Sequence, residues 1–435
     1  MTSAEFKRRR RQLMRMMGPR SVAILPAAPQ ATRNRDVQYP YRQDSDFHYL
    51  TGFPEPEAMA VLAPGRAHGE YVLFCRERDP QKERWDGARA GQEGARDLYG
   101  ADDSFPIDDL GDILPGMLEQ CERVFYAMGC NPGLDQQLAE WVNRIRCANR
   151  SGAQGPQEFV ALDHYLHDMR LYKSRSEIKQ MRTAARISSA AHSELLRSCR
   201  PGMMEYELEA IFAHACARKG AREQAYSSIV GGGANACVLH YVANSARLEE
   251  GDLVLIDAGC EYDCYASDIT RTFPVNGRFS PPQRELYELV LAAQEAAIRK
   301  VKPGNHWNDP HQAVVRTLTK GLVELGILKG QVSRLVRQEA YRELYMHRTG
   351  HWLGMDVHDV GDYKVDGSWR LLEPGMVLTV EPGLYLPAGS KGVARKWWNI
   401  GIRIEDDVLV TRGEPDVLSK DAPKTVAQIE AVMAA

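Results

Sequence analysis

The sequence that decides the fold is Asp252-Leu-Val-Leu-Ile-Asp-Ala-Gly259, an apolar run that carries a carboxylate, Asp257, near its end. A short apolar run bounded by turn residues predicts a buried strand. A second acid, Asp268, follows in Ser267-Asp-Ile-Thr-Arg-Thr-Phe273. If a turn at positions 262–263 joins two strands into a hairpin, positions 257 and 268 pair directly, and their Cβ atoms lie about 5 Å apart on one face. No Asn-Gly or Asp-Gly pair marks the turn, so the residues leave the register open.

Three further candidate metal ligands follow later in the chain. His351 begins the segment His-Trp-Leu-Gly-Met-Asp-Val-His-Asp, and Glu381 follows an apolar run and precedes Pro-Gly. Glu405 closes the strand-like run Gly-Ile-Arg-Ile-Glu. The segments that carry Glu381 and Glu405 are interpreted as a second pair of strands, joined by a longer loop through residues 388–398.

The five side chains offer four carboxylates and one imidazole, which are mostly hard oxygen ligands. Such a set suits two divalent ions of the Mn²⁺ or Co²⁺ type, with Zn²⁺ as a further option. Any one of these acids alone could cap a turn or lie in solvent. Burying four carboxylates together without a cation would cost far too much in mutual repulsion. The predicted metal ligands are Asp257, Asp268, His351, Glu381 and Glu405.

The length of 435 residues predicts two domains. Residues 1–172 alternate short strand-like runs with helical stretches and hold no catalytic cluster, which predicts an α/β domain. A capping box, Ser174-Arg-Ser-Glu177, opens a long helix and places the boundary near residue 172. In residues 173–435, two helix pairs, each broken by Pro-Gly, precede strands that carry two of the carboxylates. This weak repeat predicts a duplicated αα-ββ domain, although Pro-Gly is also a common chance helix stop.

Composition excludes several classes of protein. A net charge of −3 argues against a nucleic-acid surface, and no apolar stretch approaches the 18 residues of a membrane span. Nine scattered cysteines without a Cys-x-x-Cys pair predict free thiols in a reducing cytoplasm, with Cys260 and Cys264 as packing residues. The basic stretch Phe6–Met14 lacks the apolar segment of a secretory signal, so it is interpreted as the exposed face of a first helix.

The ligand motifs resemble those of a known family. The segments 252–273, 347–359, 373–385 and 401–407 are similar to the metal-binding motifs of the pita-bread metallopeptidases, which include methionine aminopeptidase, prolidase, creatinase and aminopeptidase P. The runs Met346–Asp359 and Tyr39–Phe53 most resemble bacterial aminopeptidase P. The resemblance covers nearly the whole chain and implies an α/β N-terminal domain followed by an α+β pita-bread catalytic domain.

The resemblance also implies roles for the candidate residues. Asp257 would chelate one ion, His351 and Glu381 would help bind the other, and Asp268 and Glu405 would bridge the two. Glu381 also suits a base that takes a proton from the attacking water. Arg403 would orient a carboxylate ligand, and three histidines would bind the carbonyl oxygen or tetrahedral intermediate and transfer protons. The predicted catalytic residues are His240, His347, His358, Glu381 and Arg403.

The implied activity is hydrolysis of the N-terminal Xaa-Pro bond of peptides, by attack of a hydroxide that bridges two metal ions. Prolidase, which shares the five ligands and cleaves only dipeptides, is the alternative. A catalytically silent binding module of this fold usually loses ligands, and none of the five departs from the pattern here. Because methionine aminopeptidase lacks the large N-terminal domain and creatinase lacks the metal set, neither is favoured.

The resemblance finally implies a homotetramer in which a tryptophan from the N-terminal domain of one subunit reaches the active site of a neighbour. Trp85, in Glu-Arg-Trp-Asp-Gly, is the matching residue. The expected partners are peptides with proline at the second position. Four aromatic residues are candidates either for the wall of a proline pocket or for ordinary core packing: Trp352, Tyr385, Trp397 and Trp398.

Overall fold

The computed structural model describes residues 1–435, which form two compact units, Met1–His167 and Asp168–Ala435. The predicted domain boundary lies near residue 172. Each unit contains both helices and strands, in agreement with the expected fold class. None of the helices has the length and apolar character that crossing a membrane requires.

The elements of the first unit are, in chain order, α1 (Ser3–Met17), β1 (Ser21–Pro26), β2 (Thr32–Asn34), β3 (Val37–Gln38), α2 (Ser45–Thr51), β4 (Met59–Leu62), β5 (Tyr71–Cys75), α3 (Glu83–Asp86), α4 (Gly91–Asp97), β6 (Asp103–Pro106), α5 (Leu110–Leu118), β7 (Arg123–Phe125), α6 (Pro132–Cys147), β8 (Glu158–Val160) and the start of α7 (Leu162–Leu171). Six strands form one mixed sheet in the order β6-β5-β4-β1-β7-β8. Strands β1, β4 and β5 are apolar runs that lie buried at its centre.

The basic N-terminal stretch is helical, but the prediction that it forms only an exposed face is wrong. Arg9 and Arg10 of α1 are buried and donate hydrogen bonds to the carbonyl oxygens of Tyr49 (2.9 Å) and Leu50 (2.8 Å). The guanidinium carbon of Arg9 also lies 3.9 Å from the centre of the Tyr49 ring. These cations stabilise the packing of α1 against α2, since a desolvated guanidinium over an aromatic face is attracted to it.

The elements of the second unit are α8 (Arg175–Ser198), α9 (Glu205–Ala217), β9 (Glu223–Gln224), β10 (Ile229–Gly232), β11 (Leu253–Asp257), β12 (Cys260–Tyr262), β13 (Tyr265–Ala266), β14 (Thr270–Pro274), α10 (Pro281–Ile298), α11 (Asn308–Glu324), α12 (Val332–Arg337), β15 (Lys364–Val365), β16 (Ser368–Trp369), β17 (Val377–Val380), β18 (Gly383–Leu386), β19 (Ile400–Arg403), β20 (Asp406–Leu409), β21 (Asp416–Val417) and α13 (Val426–Ala434). The capping box at Ser174 and Glu177 opens α8 as predicted. The helix pairs α8–α9 and α10–α11 each pack together, and each pair precedes strands that carry two candidate ligands.

The first ligand hairpin forms with a register that differs from the expected one. β11 pairs antiparallel with β14, and Asp257 lies opposite Thr270 instead of Asp268. The turn falls at Asp263 and Cys264, one residue later than expected, and both residues adopt positive φ angles of 52° and 65°. Such angles are uncommon for residues other than glycine, so the sequence does not predict the turn at these two positions. Asp268 lies two residues before Thr270, which keeps its side chain on the same face.

The second ligand hairpin has the expected arrangement. Val380 of β17 lies opposite Asp406 of β20, and Gly383 of β18 lies opposite Arg403 of β19. The ladder therefore places Glu381 and Glu405 at opposed positions, between these two pairs. The connecting loop covers residues 387–399. A backbone hydrogen bond joins the two hairpins, since the N–H of Glu405 donates to the carbonyl oxygen of Thr270 at 3.1 Å.

Candidate metal centre

The structure brings the five predicted ligands into one buried cluster. Ligand atoms of Asp268, His351 and Glu405 all lie within 4.8 Å of one another. The hydroxyl of Tyr226 lies 2.6 Å from a carboxylate oxygen of Asp257 and 2.5 Å from one of Asp268, and so joins these two acids. Glu381 completes the cluster, with one oxygen 3.8 Å from Nε2 of His351.

His351 is held in the tautomer that a metal ligand needs. Its Nδ1 lies 2.9 Å from the carbonyl oxygen of Trp352, which can only accept a hydrogen bond, so Nδ1 donates. In the neutral ring Nε2 then keeps its lone pair, and this atom faces Asp268 at 3.3 Å. Gly350 makes this placement possible, because a Cβ at that position would lie 2.0 Å from the carbonyl oxygen of Thr379.

The charges of the cluster fit bound cations. Burial, together with the neighbouring acids, raises the pKa of Asp257 and raises that of Glu381 to about 7 and that of Glu405 well above its usual value. Among the arginines and lysines, Arg403 alone contacts one of these carboxylates, donating to Asp257 at 2.7 Å. One guanidinium cannot balance four carboxylates, so the site suits divalent ions with oxygen ligands.

His351 and Asp268 shift each other's pKa. Burial lowers the pKa of His351, but the hydrogen bond and negative charge of Asp268 outweigh it and raise this pKa to about 9. The same pair lowers the pKa of Asp268 against the opposing effect of its own burial. Since a ligating imidazole must be neutral, a metal ion at this site competes with a proton for Nε2.

A chain of hydrogen bonds runs from the cluster to His347. Arg403 donates through one nitrogen to Asp257 and through another to the hydroxyl of Tyr385 at 2.9 Å. That hydroxyl lies 2.9 Å from Nε2 of His347, whose Nδ1 donates to the carbonyl oxygen of Arg348 at 2.7 Å. Burial, reinforced by Arg403, lowers the pKa of His347 to about 3, so the ring is neutral and Nε2 accepts from Tyr385. Both nitrogens of His347 are therefore engaged.

The cluster lies in a cavity of about 470 Å³, which His240, His347, His358 and Arg403 also line. The ring of His358 contacts that of His351, with 4.3 Å between ring centres, and His240 is exposed. Burial and the neighbouring His351 lower the pKa of His358, which keeps it neutral at neutral pH. The apolar part of the wall consists of Ile229, Leu239, Val242 and Val357.

The aromatic residues considered for the pocket lie elsewhere. Trp352, Tyr385 and Trp397 are buried in the core of the second unit, and none of them lines the cavity; neither does Trp398. Large aromatic side chains bury most surface and therefore favour the core. Tyr385 reaches the site only through its hydroxyl. In the first unit, Trp85 of α3 is 88% exposed.

Sequence reasoning missed several residues that hold the site. Tyr226 and Thr270, which donates to Glu405 at 2.7 Å, lie in no pattern that marks them. Asp407 accepts from the backbone N–H of Asp268 at 3.1 Å. Its position two residues after Glu405, on the same face of the strand, is the one available signal.

A buried acid also holds the loop that carries His240. The loop, residues 233–248, follows β10, and Glu205 at the start of α9 is fully buried beneath it. The Glu205 carboxylate accepts four hydrogen bonds of 2.8–3.0 Å, from the backbone N–H groups of Gly232 and Ala246 and from the side chains of Asn235 and Tyr241. The loop therefore presents its cavity-lining residues from a fixed backbone.

Comparisons with known proteins identify the family of the chain. A model described as metallopeptidase family M24 matches residues 179–412, and one described as the aminopeptidase P N-terminal domain matches residues 6–126. The Xaa-Pro aminopeptidase of Escherichia coli (strain K12) is 45% identical over 432 residues, covering 99% of this chain and 98% of that protein.

Solved structures show the same relationship. Aminopeptidase PepP of Pseudomonas aeruginosa superposes with a TM-score of 0.99 at 61% identity, over 100% of this chain and 98% of that one. Zinc-substituted E. coli aminopeptidase P in complex with product gives a TM-score of 0.97 at 44% identity, over 100% and 98%. The predicted fold class, including the pita-bread domain, is confirmed. The chain belongs to metallopeptidase family M24 and, within this family, to the aminopeptidase P group of hydrolases.

Proposed function

We propose that the protein removes the N-terminal residue from peptides whose second residue is proline. The observation that carries this proposal is the cluster of four carboxylates and His351 in a partly apolar cavity. Relatives named Xaa-Pro aminopeptidase, which match nearly the whole chain, support the choice of bond. The apolar wall suits a proline ring, and the acids suit a free α-ammonium group.

The residues fit a centre with two divalent ions, for which Mn²⁺ is the first choice and Co²⁺ and Zn²⁺ are alternatives. Asp257, Asp268, His351, Glu381 and Glu405 would hold the ions. When bound, the ions would polarise the scissile carbonyl and lower the pKa of a water that they share. Tyr226, Thr270 and Arg403 orient the carboxylates through the hydrogen bonds described above.

The protein side chains supply the proton transfers and the placement of the substrate. Glu381 lies at the cavity surface, where its carboxylate can take a proton from the attacking water and give it to the leaving proline nitrogen. His358 and His240 line the cavity, and neither ring forms a hydrogen bond within the protein, so they can donate to the developing oxyanion. His347 fixes the hydroxyl of Tyr385 and, through it, Arg403.

A prolidase specific for dipeptides is the second candidate function, since it would use the same five ligands. Turnover of Xaa-Pro-Yaa tripeptides and Xaa-Pro dipeptides, each assayed with added Mn²⁺ and after chelation, separates the two. We expect the enzyme to cleave the tripeptides. Chelation should abolish this turnover, and added Mn²⁺ or Co²⁺ should restore it. Full activity in a preparation shown to be free of metal would contradict the metal centre, and turnover of dipeptides alone would favour prolidase.

His358→Ala is expected to lower kcat by about 10²–10³-fold with unchanged metal content, because it removes one donor to the transition state. His347→Ala is expected to lower kcat by about 10–100-fold, because it acts through Tyr385 and Arg403. Steady-state kinetics and metal analysis of the purified variants measure both effects. His214→Ala, at an exposed position on α9, is the matched control and should be neutral. Loss of a metal ion from either variant would show that the histidine is a ligand.

We further propose a homotetramer in which Trp85 of one subunit lies at the active site of another. The high exposure of Trp85 in the single chain and its place in the matched aminopeptidase P N-terminal domain support this assembly. Trp85→Ala should weaken turnover of Xaa-Pro-Yaa peptides without changing the metal content. Light scattering must accompany the kinetics, since the change can also loosen the assembly. A monomer with full activity would rule the proposal out.

We propose a cytoplasmic location for the protein. All nine cysteines are free, and five of them are buried, which suits a reducing compartment. Fractionation of the source cells, with an activity assay on each fraction, tests this location.

A further inference from the structure

Arg348 is a cation at the open side of the cavity that the proposed mechanism does not use. It lines the same cavity as the ligand cluster, but it is exposed, whereas Asp257, Asp268 and Glu405 are buried and Glu381 is partly buried. Since it directly follows His347, its backbone is fixed by the hydrogen bond that His347 donates to its carbonyl oxygen. The two ends of the cavity therefore differ in charge: the acids lie at the closed end, and a guanidinium lies at the open end.

The side chain of Arg348 is held in place by neutral groups. One guanidinium nitrogen donates to the amide oxygen of Asn308 at 2.9 Å, and the guanidinium carbon lies 4.8 Å from the centre of the Trp369 ring. Lys364 also lies over this ring, with its nitrogen 4.6 Å from the centre. These contacts already order the Arg348 side chain, so less conformational entropy is lost when a ligand binds. They use only one of the five N–H donors.

No carboxylate of the protein pairs with this guanidinium. By contrast, Arg342 on the same segment forms an ion pair with Glu339 at 3.0 Å. Arg348 thus keeps its charge and a planar set of donors that match a carboxylate. Lys364 adds a second positive charge beside it. Both features favour an anionic group of a bound molecule at this position.

We propose that Arg348 binds a carboxylate of the substrate on the C-terminal side of the proline. This inference rests on the proposed function and names a further feature of its substrates. The α-ammonium group of a peptide is attracted to the acids at the closed end and repelled by Arg348, so the remainder of the peptide extends toward the guanidinium. The carboxylate is either the C-terminus of a short peptide or an acidic side chain after the proline.

The test compares matched peptides on the wild-type enzyme and the Arg348→Met variant. One pair is an Xaa-Pro-Yaa tripeptide as free acid and as C-terminal amide, and the other is an amidated peptide with Glu or Gln after the proline. Wild-type enzyme should favour the charged member by roughly 3–10-fold in kcat/KM, mainly through KM, and the variant should lose this preference. Arg342→Met, which removes an equal charge outside the cavity, should keep it.

The outcomes separate the two sources of the carboxylate. Loss of preference in the first pair assigns the C-terminus, and loss in the second pair assigns an acidic side chain. If both peptides of each pair are cleaved and Arg348→Met changes neither preference, the inference is overturned while the proposed function stands. If the wild-type enzyme loaded with Mn²⁺ cleaves no Xaa-Pro peptide, the proposed function itself fails.

Discussion

Asp268→Ala is expected to lower kcat/KM for Xaa-Pro-Yaa peptides by at least about 10³-fold, or about 4 kcal/mol of transition-state stabilisation. Asp268 is held from three sides: it faces His351 at 3.3 Å, accepts a hydrogen bond from the Tyr226 hydroxyl at 2.5 Å, and its backbone N–H donates to Asp407. The change takes away a proposed metal ligand, and it also removes a partner of the His351 ring. Both effects would weaken the placement of the proposed ions.

The measurement is steady-state kinetics at several Mn²⁺ concentrations, with metal analysis of each sample. Asp421→Ala, an exposed acid of the same unit, is the matched control and should retain activity. We expect that added Mn²⁺ restores little of the lost rate, since an ion bound without Asp268 is misplaced. An Asp268→Ala variant with activity near that of the wild type would contradict the assigned metal centre.

Asp359→Ala is expected to destabilise the second unit by about 3–5 kcal/mol. The carboxylate of Asp359 pairs with Arg170 at 2.6 Å and with Lys173 at 2.9 Å, and all three side chains are almost completely buried. Removal of the acid takes the carboxylate partner from the buried Lys173, whose desolvation is then no longer offset, and it takes one of two carboxylates from Arg170, which keeps its ion pair with Asp356 at 2.7 Å. Urea unfolding at neutral pH, followed by circular dichroism, measures the loss, and unchanged unfolding would contradict it.

The same ion pairs predict a dependence of stability on pH. Burial raises the pKa of Asp359, but Lys173 and Arg170 outweigh it and hold this pKa below its usual value. A carboxyl group with a lowered folded pKa contributes stability above its unfolded pKa, about 3.9, and this contribution is lost as the pH falls through the folded pKa. The wild-type protein should therefore lose stability in acid more steeply than Asp359→Asn, in which this group cannot titrate.

The candidate ligands could be recognised from the sequence because strand periodicity and chemistry act locally. One acid at the end of an apolar run could also cap a turn, but four such acids together indicate a cation site, and the hairpin of Glu381 and Glu405 follows from two neighbouring strands. The register of the first hairpin could not be predicted, because Asp263 and Cys264 adopt positive φ angles that their side chains do not favour.

Other features depend on contacts between distant parts of the chain. The burial of Arg9 requires the ring and carbonyl oxygen of Tyr49, forty residues away, and no pattern near Arg9 indicates them. Tyr226 reaches two carboxylates from a segment that has no ligand pattern. The apolar cavity wall consists of aliphatic side chains from β10 and from loops, while Trp352 and Trp397 lie in the core, so hydrophobicity alone does not separate the two.

The attachment of the loop at Glu205 has a consequence for evolution and for protein engineering. Glu205 accepts four hydrogen bonds at this loop, and the Asn244 side chain ties the loop to Ser228 and Val230, whereas Leu239 and Val242 line the cavity. The side chains that meet a substrate are thus separate from the groups that determine the path of the backbone. Substitutions at positions 239 and 242, whether they arise in evolution or in a combinatorial library, can therefore change substrate preference while the backbone of the loop keeps its conformation.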